Sequence, residues 1–233
     1  IGYIAQLLIL AIEAGGDIII RKGCQGKGLG KIIAGKSIVG QFFESAVLTA
    51  GKDVQATYLL NCQLKANGKL LVEGRKGVII GGKTCAKLGV SCNGIGNIAE
   101  IATVVSVGID KEDMTAYQEL QKKIEQTQAE LQTCENGLNK LMANPVHDEK
   151  VSMMIQRLTR AVYTLKSSRK ELFSERDAQM EQMTKQKEAR IQVSGRVYPG
   201  TLLFLNEDPF AIKEIYNNVE FVKHDNRIDT LAH

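Results

Sequence analysis

An internal repeat with a period near sixteen residues, running from about Leu10 to Cys92, limits what this chain can fold into more than any other feature. The segments AIEAGGDIII (Ala11 to Ile20), KIIAGKSIVG (Lys31 to Gly40), AVLTAGKDVQ (Ala46 to Gln55), CQLKANGKLL (Cys62 to Leu71) and GVIIGGKTCA (Gly77 to Ala86) align with one another. Each is a short apolar run, a small-residue corner, one or two polar residues and a second apolar run. A unit of this length is too short for a helical pair or a strand-plus-helix repeat, but long enough for one coil of a β-solenoid. Stacked at about 4.8 Å per coil, five or six such units make a rod on the order of 25 Å long.

Alternation of Val, Ile and Leu with polar or small residues, as in Ile12-Glu13-Ala14 and Val54-Gln55-Ala56, sends one set of side chains into the coil and the other into solvent. No coil can bury its inner face alone, so stability comes from stacked neighbours. The corners at Ala14-Gly15, Ala34-Gly35 and Ala50-Gly51, with Ala66-Asn67 and Gly81-Gly82 read as their equivalents, are expected to use glycine for positive φ. No Pro precedes Pro145, which suits central strands, where Pro would remove a ladder donor. The 22 Gly and the absence of Trp point the same way.

At Asp110-Lys111 the pattern changes. Tyr117, Leu120, Ile124, Thr127, Leu131, Cys134, Leu138 and Leu141 follow at alternating spacings of three and four, a heptad stripe. Gly137 weakens this helix, and Asn144-Pro145 is expected to end it. A second helix is expected from about Asp148 to Arg190, apolar at Val151, Met154, Ile155, Leu158, Val162, Leu165 and Leu172, then polar. The short connection makes the two antiparallel neighbours, projecting on the order of 50 Å. From Ile191 onward strand patterns return: IQVSGRVYPG, TLLFLN, KEIYNN, EFVKHD and RIDTLA. The expected organisation is a β-solenoid over 1–110, an antiparallel coiled-coil hairpin over 111–190, and a return segment over 191–233 that completes or caps the solenoid. The fold class is mostly β with an α insertion: a right-handed parallel β-helix interrupted by a long helical hairpin.

These parts, in this order, resemble the bacterial flagellar assembly protein A family. The resemblance rests on AGGD (14–17), AGKD (50–53), VEGRKGVIIGGKTCAKLGVSCNGIGN (72–97), TVVSVGID (103–110), the helical insertion and GRVYPGTLL (195–203), and covers nearly the whole chain. It implies a cytoplasmic role in flagellar assembly through protein contacts. Family members also look like the β-helical domain of the septum-site inhibitor of cell division, a protein–protein module. The resemblance supplies no catalytic residues to carry over.

The net charge of +4 is too mild to demand a nucleic-acid partner. No apolar run of eighteen residues suggests membrane insertion, and no signal-peptide pattern stands out. The chain opens on Ile rather than Met, so an upstream region is expected. Five Cys (24, 62, 85, 92 and 134), odd in number and without a CxxC pair, read as small buried hydrophobes in a reducing compartment. Neither they nor His147, His224 and His233 have metal-ligand spacing. No cofactor is expected, and no catalytic triad or carboxylate pair stands out.

Two stretches, Gly30-KIIA-Gly35-Lys36-Ser37 and Gly77-VIIG-Gly82-Lys83-Thr84, match a P-loop pattern. A P-loop needs a helix N-terminus after the glycines to hold phosphate. Both matches lie in register with the repeat and are followed by strand-like residues, so a nucleotide-binding enzyme is the disfavoured alternative. The glycine run Gly23 to Gly30 lacks a surrounding βαβ unit and reads as a flexible corner.

Lys36, Lys52, Lys69 and Lys83 stand near corresponding corners. As a ladder they would be either a solvated edge that discourages aggregation or a docking strip for an acidic protein partner. The leading function is a non-enzymatic cytoplasmic scaffold or regulator. A self-assembling, cytoskeletal β-helix, homo-oligomeric through solenoid ends or helix faces, is the alternative.

Overall fold

The computed structural model describes residues 2–4, 7–8, 11–74, 77–143, 148–224 and 227–232. The chain divides into two compact units, Ile1–Asp110 with Met183–His233, and Lys111–Gln182. The first is a β-solenoid. Its strands are β1 (Gly2–Ile4), β2 (Leu7–Leu8), β3 (Ala11–Ala14), β4 (Ile18–Ala34), β5 (Ile38–Ala50), β6 (Val54–Ala56), β7 (Tyr58–Ala66), β8 (Leu70–Val72), β9 (Val78–Ala86), β10 (Val90–Ile95) and β11 (Thr103–Val107).

Parallel pairing arranges these strands in three faces. On the first, Ile18, Ile38, Val54, Leu70 and Val90 lie in register. On the second, Cys24, Phe43, Leu59, Ile79 and Ile95 do so. On the third, Ile32, Leu48, Leu64, Thr84 and Val105 do so. Every one of these side chains is buried, as the alternation requires. At the end of the third face the register Ala14, Ala34, Ala50, Ala66, Ala86 places the smallest side chain where the chain turns most tightly. Complete burial of an aliphatic side chain contributes roughly 1.5–3 kcal/mol, so each coil depends on the inner face of the next.

The alanine register corrects two readings of the corners. The counterpart of Ala50-Gly51 in the later coil is Ala86-Lys87, since Lys87 N donates to Ala66 O as Asn67 N does to Ala50 O. Gly81-Gly82 instead lies between the second and third faces, with Gly82 opposite Cys62. Nor do Gly15, Gly35 and Gly51 have positive φ. Left-handed residues instead recur at the corner between the second and third faces, among them Ser45 (φ 47°), Asn61 (φ 49°) and Gly81 (φ 68°), while in the later coil Gly89 (φ 122°) is positive at the Ala86 corner. Gly51 is required by close approach: a Cβ there would lie 2.2 Å from Gly35 O. The Gly23–Gly30 run lies within β4 and carries it round the corner from the second face to the third, with Lys27 (φ 47°) and Gly28 (φ 81°) left-handed and the register to β5 shifted between Gln25 and Gly30.

The helical unit begins with α1 (Lys111–Met142) and continues in α2 (Glu149–Lys187), whose last turn belongs to the solenoid unit. Glu135 pairs with Lys166 at 2.8 Å, and Gly137 faces Leu158, so the helices run antiparallel. Leu120, Ile124, Leu131 and Val162 are buried in the seam. Met154, read as part of that seam, is exposed. Asp148 caps α2, accepting from Val151 N at 2.7 Å. The expected turn at Asn144-Pro145, with His147, lies outside the described residues, as does His233.

After α2 the chain rejoins the solenoid. β12 (Ile191–Val197) pairs in parallel with β10, and β13 (Thr201–Leu205) pairs with β11, as though no insertion intervened. Then the direction reverses. β14 (Asp208–Ala211) pairs antiparallel with β13, β15 (Tyr216–His224) with β12, and β16 (Arg227–Ala232) with β15. KEIYNN and EFVKHD thus belong largely to one strand. Pro209 sits in β14, the outermost strand on its side, the place in a sheet that tolerates a missing donor. Phe210, Tyr216 and Phe221 form a cluster with ring centroids 5.6–6.4 Å apart.

All five cysteines are free. Cys24, Cys62 and Cys92 are buried, while Cys85 and Cys134 are half-buried. Burial pushes the Cys62 thiol up to about 11 and Cys92 to about 12. A raised thiol pKa means the fold holds the neutral form. Its contribution is complete below the ordinary thiol value near pH 8.5 and is lost as pH rises toward 11–12, because the unfolded chain ionises first. Stability measured by urea titration is therefore expected to fall between pH 8.5 and 10.5, by up to about 1.4 kcal/mol per pH unit per thiol. Cys62→Ala with Cys92→Ala should flatten that slope. An unchanged slope would mean the thiols do not carry it.

Candidate functional site

The corner that closes each coil carries three of the four candidate lysines. Its backbone is a ladder between coils: Lys36 N donates to Gly16 O at 3.2 Å, Lys52 N to Lys36 O at 3.0 Å, Gly68 N to Lys52 O at 2.9 Å and Leu88 N to Gly68 O at 3.0 Å. Lys36 and Lys52 therefore stack on adjacent coils with exposed side chains. The next residue in their column is Gly68. Lys69 falls one position further along, because Asn67-Gly68 places glycine after the polar residue rather than before it.

Lys69 stands instead in the column of Asp17, Ser37 and Asp53, where Ile18 N donates to Ser37 O, Ile38 N to Asp53 O and Val54 N to Lys69 O. The two aspartates are engaged with the backbone: Asp17 Oδ1 accepts from Ser37 N at 2.9 Å and Asp53 Oδ1 from Lys69 N at 2.7 Å. The exposed lysine ammonium groups thus share this corner with carboxylates already bound to main-chain N–H.

Lys83 is elsewhere. It lies within β9, in register with Gln63 and Val104 on the third face. The four lysines do not form one ladder: Lys36, Lys52 and Lys69 share a corner and Lys83 does not.

What continues the corner comes from beyond the insertion. Val90 N donates to Arg190 O at 3.0 Å, so Arg190 follows Lys69 and Gly89 in the same column. Lys69, Leu88, Lys185, Glu188, Arg190 and Gln192 are among the residues that line a groove of about 560 Å³ there. Three cations against one carboxylate give its lining a positive balance. Glu220, on β15, accepts from Arg190 Nη1 at 3.1 Å and from Gln192 Nε2 at 3.0 Å, which fixes the guanidinium and offsets part of its charge. Sequence reasoning missed Lys185 and Arg190 because about 120 residues separate them from Lys69. The available signal was the segment Ala189-Arg190-Ile191, which resumes the Ala-x-x-x-Ile spacing of the earlier corners with two residues fewer.

The polar end of α2, unexplained from sequence, is anchored here. Gln186 and Ala189 are buried, Ala189 in the solenoid core. Asn206 holds both chain ends: its Oδ1 accepts from Ile109 N at 2.9 Å and its Nδ2 donates to Lys187 O at 3.2 Å.

Neither P-loop match has the geometry that phosphate binding by that motif requires. Ser37 is followed by strand β5, and Thr84 is buried within strand β9. Among the described residues no group of three His, Cys, Asp or Glu side chains is placed to hold a metal ion. None of the described helices is long and apolar enough to cross a membrane.

The family model of the Flagellar Assembly Protein A β-solenoid domain matches residues 10–228. Neither a curated protein nor a solved structure matches the chain.

Proposed function

This chain belongs to the flagellar assembly protein A β-solenoid family, and from that premise we propose that it acts as a non-enzymatic cytoplasmic scaffold, binding a protein partner of acidic character along its lysine-bearing corner. One observation carries this reading: Lys36, Lys52 and Lys69 run along a single corner into a groove where Lys185 and Arg190 continue the positive charge. Corner side chains on a stacked backbone are fixed in spacing by the coil repeat, so the partner meets a row of cations on a stiff support. Charges of this kind chiefly set the rate of encounter and its sensitivity to salt.

Self-assembly by stacking of solenoid ends is less well supported. β14 and β15 pair antiparallel with the last parallel strands, and so occupy ladder groups that a stacked copy would need.

The test is the triple change Lys36→Gln, Lys52→Gln and Lys69→Gln, with Lys83→Gln as the control that leaves the corner intact. Exposed charge changes of this kind usually alter stability by no more than about 0.5 kcal/mol each. In a motile bacterial host whose own copy is replaced, the triple variant should lower the fraction of flagellated cells several-fold. Lys83→Gln should leave it unchanged. Full flagellation with a stably folded triple variant would remove the corner as the docking strip.

A further inference from the structure

The helical hairpin carries a second surface of different chemistry. Charge along α2 is strongly uneven. Residues 149–170 hold Lys150, Arg157, Arg160, Lys166, Arg169 and Lys170 against Glu149 alone, whereas residues 171–182 hold Glu171, Glu175, Asp177 and Glu181 against Arg176 alone. Of the six cations in the first part, Lys166 is paired with Glu135. Lys150, Arg157, Arg160 and Lys170 are exposed and form no ion pair with any described residue.

The same part of α2 exposes apolar side chains. Met153 is 52% exposed, Met154 53% and Tyr163 78%. Met153, Arg157, Arg160 and Thr164 follow at spacings of four, three and four, which puts them on one helix face. Val151, Ile155, Leu158, Val162 and Leu165, the less exposed residues of the seam, occupy the other. A groove of about 550 Å³ beside Met153 and Arg160 runs past Gln156 and Thr159 toward Glu149 and Ile155, on the side of α2 away from Met154 and Arg157. Unbranched Met side chains adapt to an irregular partner surface.

We propose that this face of α2, from Lys150 to Lys170, docks an amphipathic helix of a protein partner whose polar flank is acidic. The apolar stripe of that helix covers Met153 and Met154, and its carboxylates meet Arg157 and Arg160. Charge decides the occupant. A two-fold symmetric dimer whose axis crosses residues 149–170 would set its own unpaired cations against each other, and a staggered one that brings in residues 171–182 of a second copy is detected by the sedimentation measurement below. A membrane surface needs a broad apolar face, and here two Met and one Tyr are interleaved with Arg and Thr. An acidic amphipathic helix laid along this face satisfies both the cations and the methionines. The surface shares no residue with the lysine-bearing corner, so either can fail without the other.

The probe is a fluorescein-labelled peptide with Leu at helical spacing and Glu on its remaining positions. It is titrated against the full chain by anisotropy, beside a Leu/Lys peptide of the same spacing and vesicles of phosphatidylglycerol. The Leu/Glu peptide should bind and the Leu/Lys peptide should not. Met153→Ala with Met154→Ala should weaken binding about tenfold or more. Arg157→Gln with Arg160→Gln should weaken it and flatten its salt dependence, and Arg157→Lys with Arg160→Lys should retain much of it. Helicity by circular dichroism identifies any variant that has lost its fold, and the single changes Arg157→Gln and Arg160→Gln then replace the pair. Absence of binding by the Leu/Glu peptide, equal binding by the Met and Gln variants, preferential binding to vesicles, or sedimentation as a dimer that the Met changes abolish would each overturn the proposal.

Discussion

Phe221→Ala is expected to cost about 3–5 kcal/mol, the range for removing a fully buried aromatic side chain. Phe221 is 0% exposed and lies in the core cluster with Ile191, Val193, Val197, Leu203 and Leu205 of the last parallel strands. Its ring also meets Phe210 at 5.6 Å and Tyr216 at 5.8 Å, contacts worth roughly 0.5–1.5 kcal/mol each beyond area. The change leaves a cavity between the cap and the last parallel strands and loosens the antiparallel strands that cover the ladder groups of β12 and β13. A urea titration should show the midpoint falling, with concentration-dependent association as edges become available. A loss below about 1 kcal/mol would mean that the cap is held by its backbone pairing and that the aromatic cluster is incidental.

The solenoid and the insertion are legible in the sequence because each announces itself by period. A spacing near sixteen with alternating apolar residues, and a stripe at three and four, fit few other folds. The corners are legible only in part. Turn chemistry points to glycine at Gly51, but for the wrong physical reason: the backbone there has no positive φ, and it is Gly35 O of the preceding coil that leaves no room for a side chain. Spacing between coils does not appear in a one-dimensional pattern, whereas turn chemistry does, and the two demand the same residue. The same ambiguity displaces Lys83. Gly81-Gly82 looks like an Ala-Gly corner, and only the register of Ala86 with Ala66 shows that the corner comes five residues later.

The groove of the candidate site is not legible, since it depends on Arg190 stacking beyond Gly89 across the whole insertion. The cap is legible as strands but not as a reversal. KEIYNN and EFVKHD alternate alike whether they run parallel or antiparallel, and nothing in their side chains marks direction. Met154 fits the helical seam by residue type, being apolar. Its exposure shows how a residue of the right type, one position from Ile155, falls on a different face.

The largest contrast expected is between two deletions of the hairpin. Replacing residues 111–182 with a short Gly/Ser linker removes the helical unit and leaves the solenoid unit whole. A short linker suffices because one side chain, Asn206, binds the chain on both sides of the gap, at Ile109 and Lys187. Extending the deletion to residue 190 also removes buried Gln186 and Ala189 and the Arg190 carbonyl that accepts from Val90 N. That further loss is expected to cost about 2–4 kcal/mol, from one buried apolar residue and several backbone and side-chain hydrogen bonds.

Thermal unfolding of the two deletion proteins, followed by circular dichroism in the β region, tests most directly whether the solenoid is one continuous stack that the insertion merely interrupts. A continuous stack predicts a single cooperative transition for the 111–182 deletion, near that of the β signal in the full chain, and a transition at clearly lower temperature for the 111–190 deletion. A 111–182 deletion that unfolds without cooperativity, or two deletions that melt together, would contradict it.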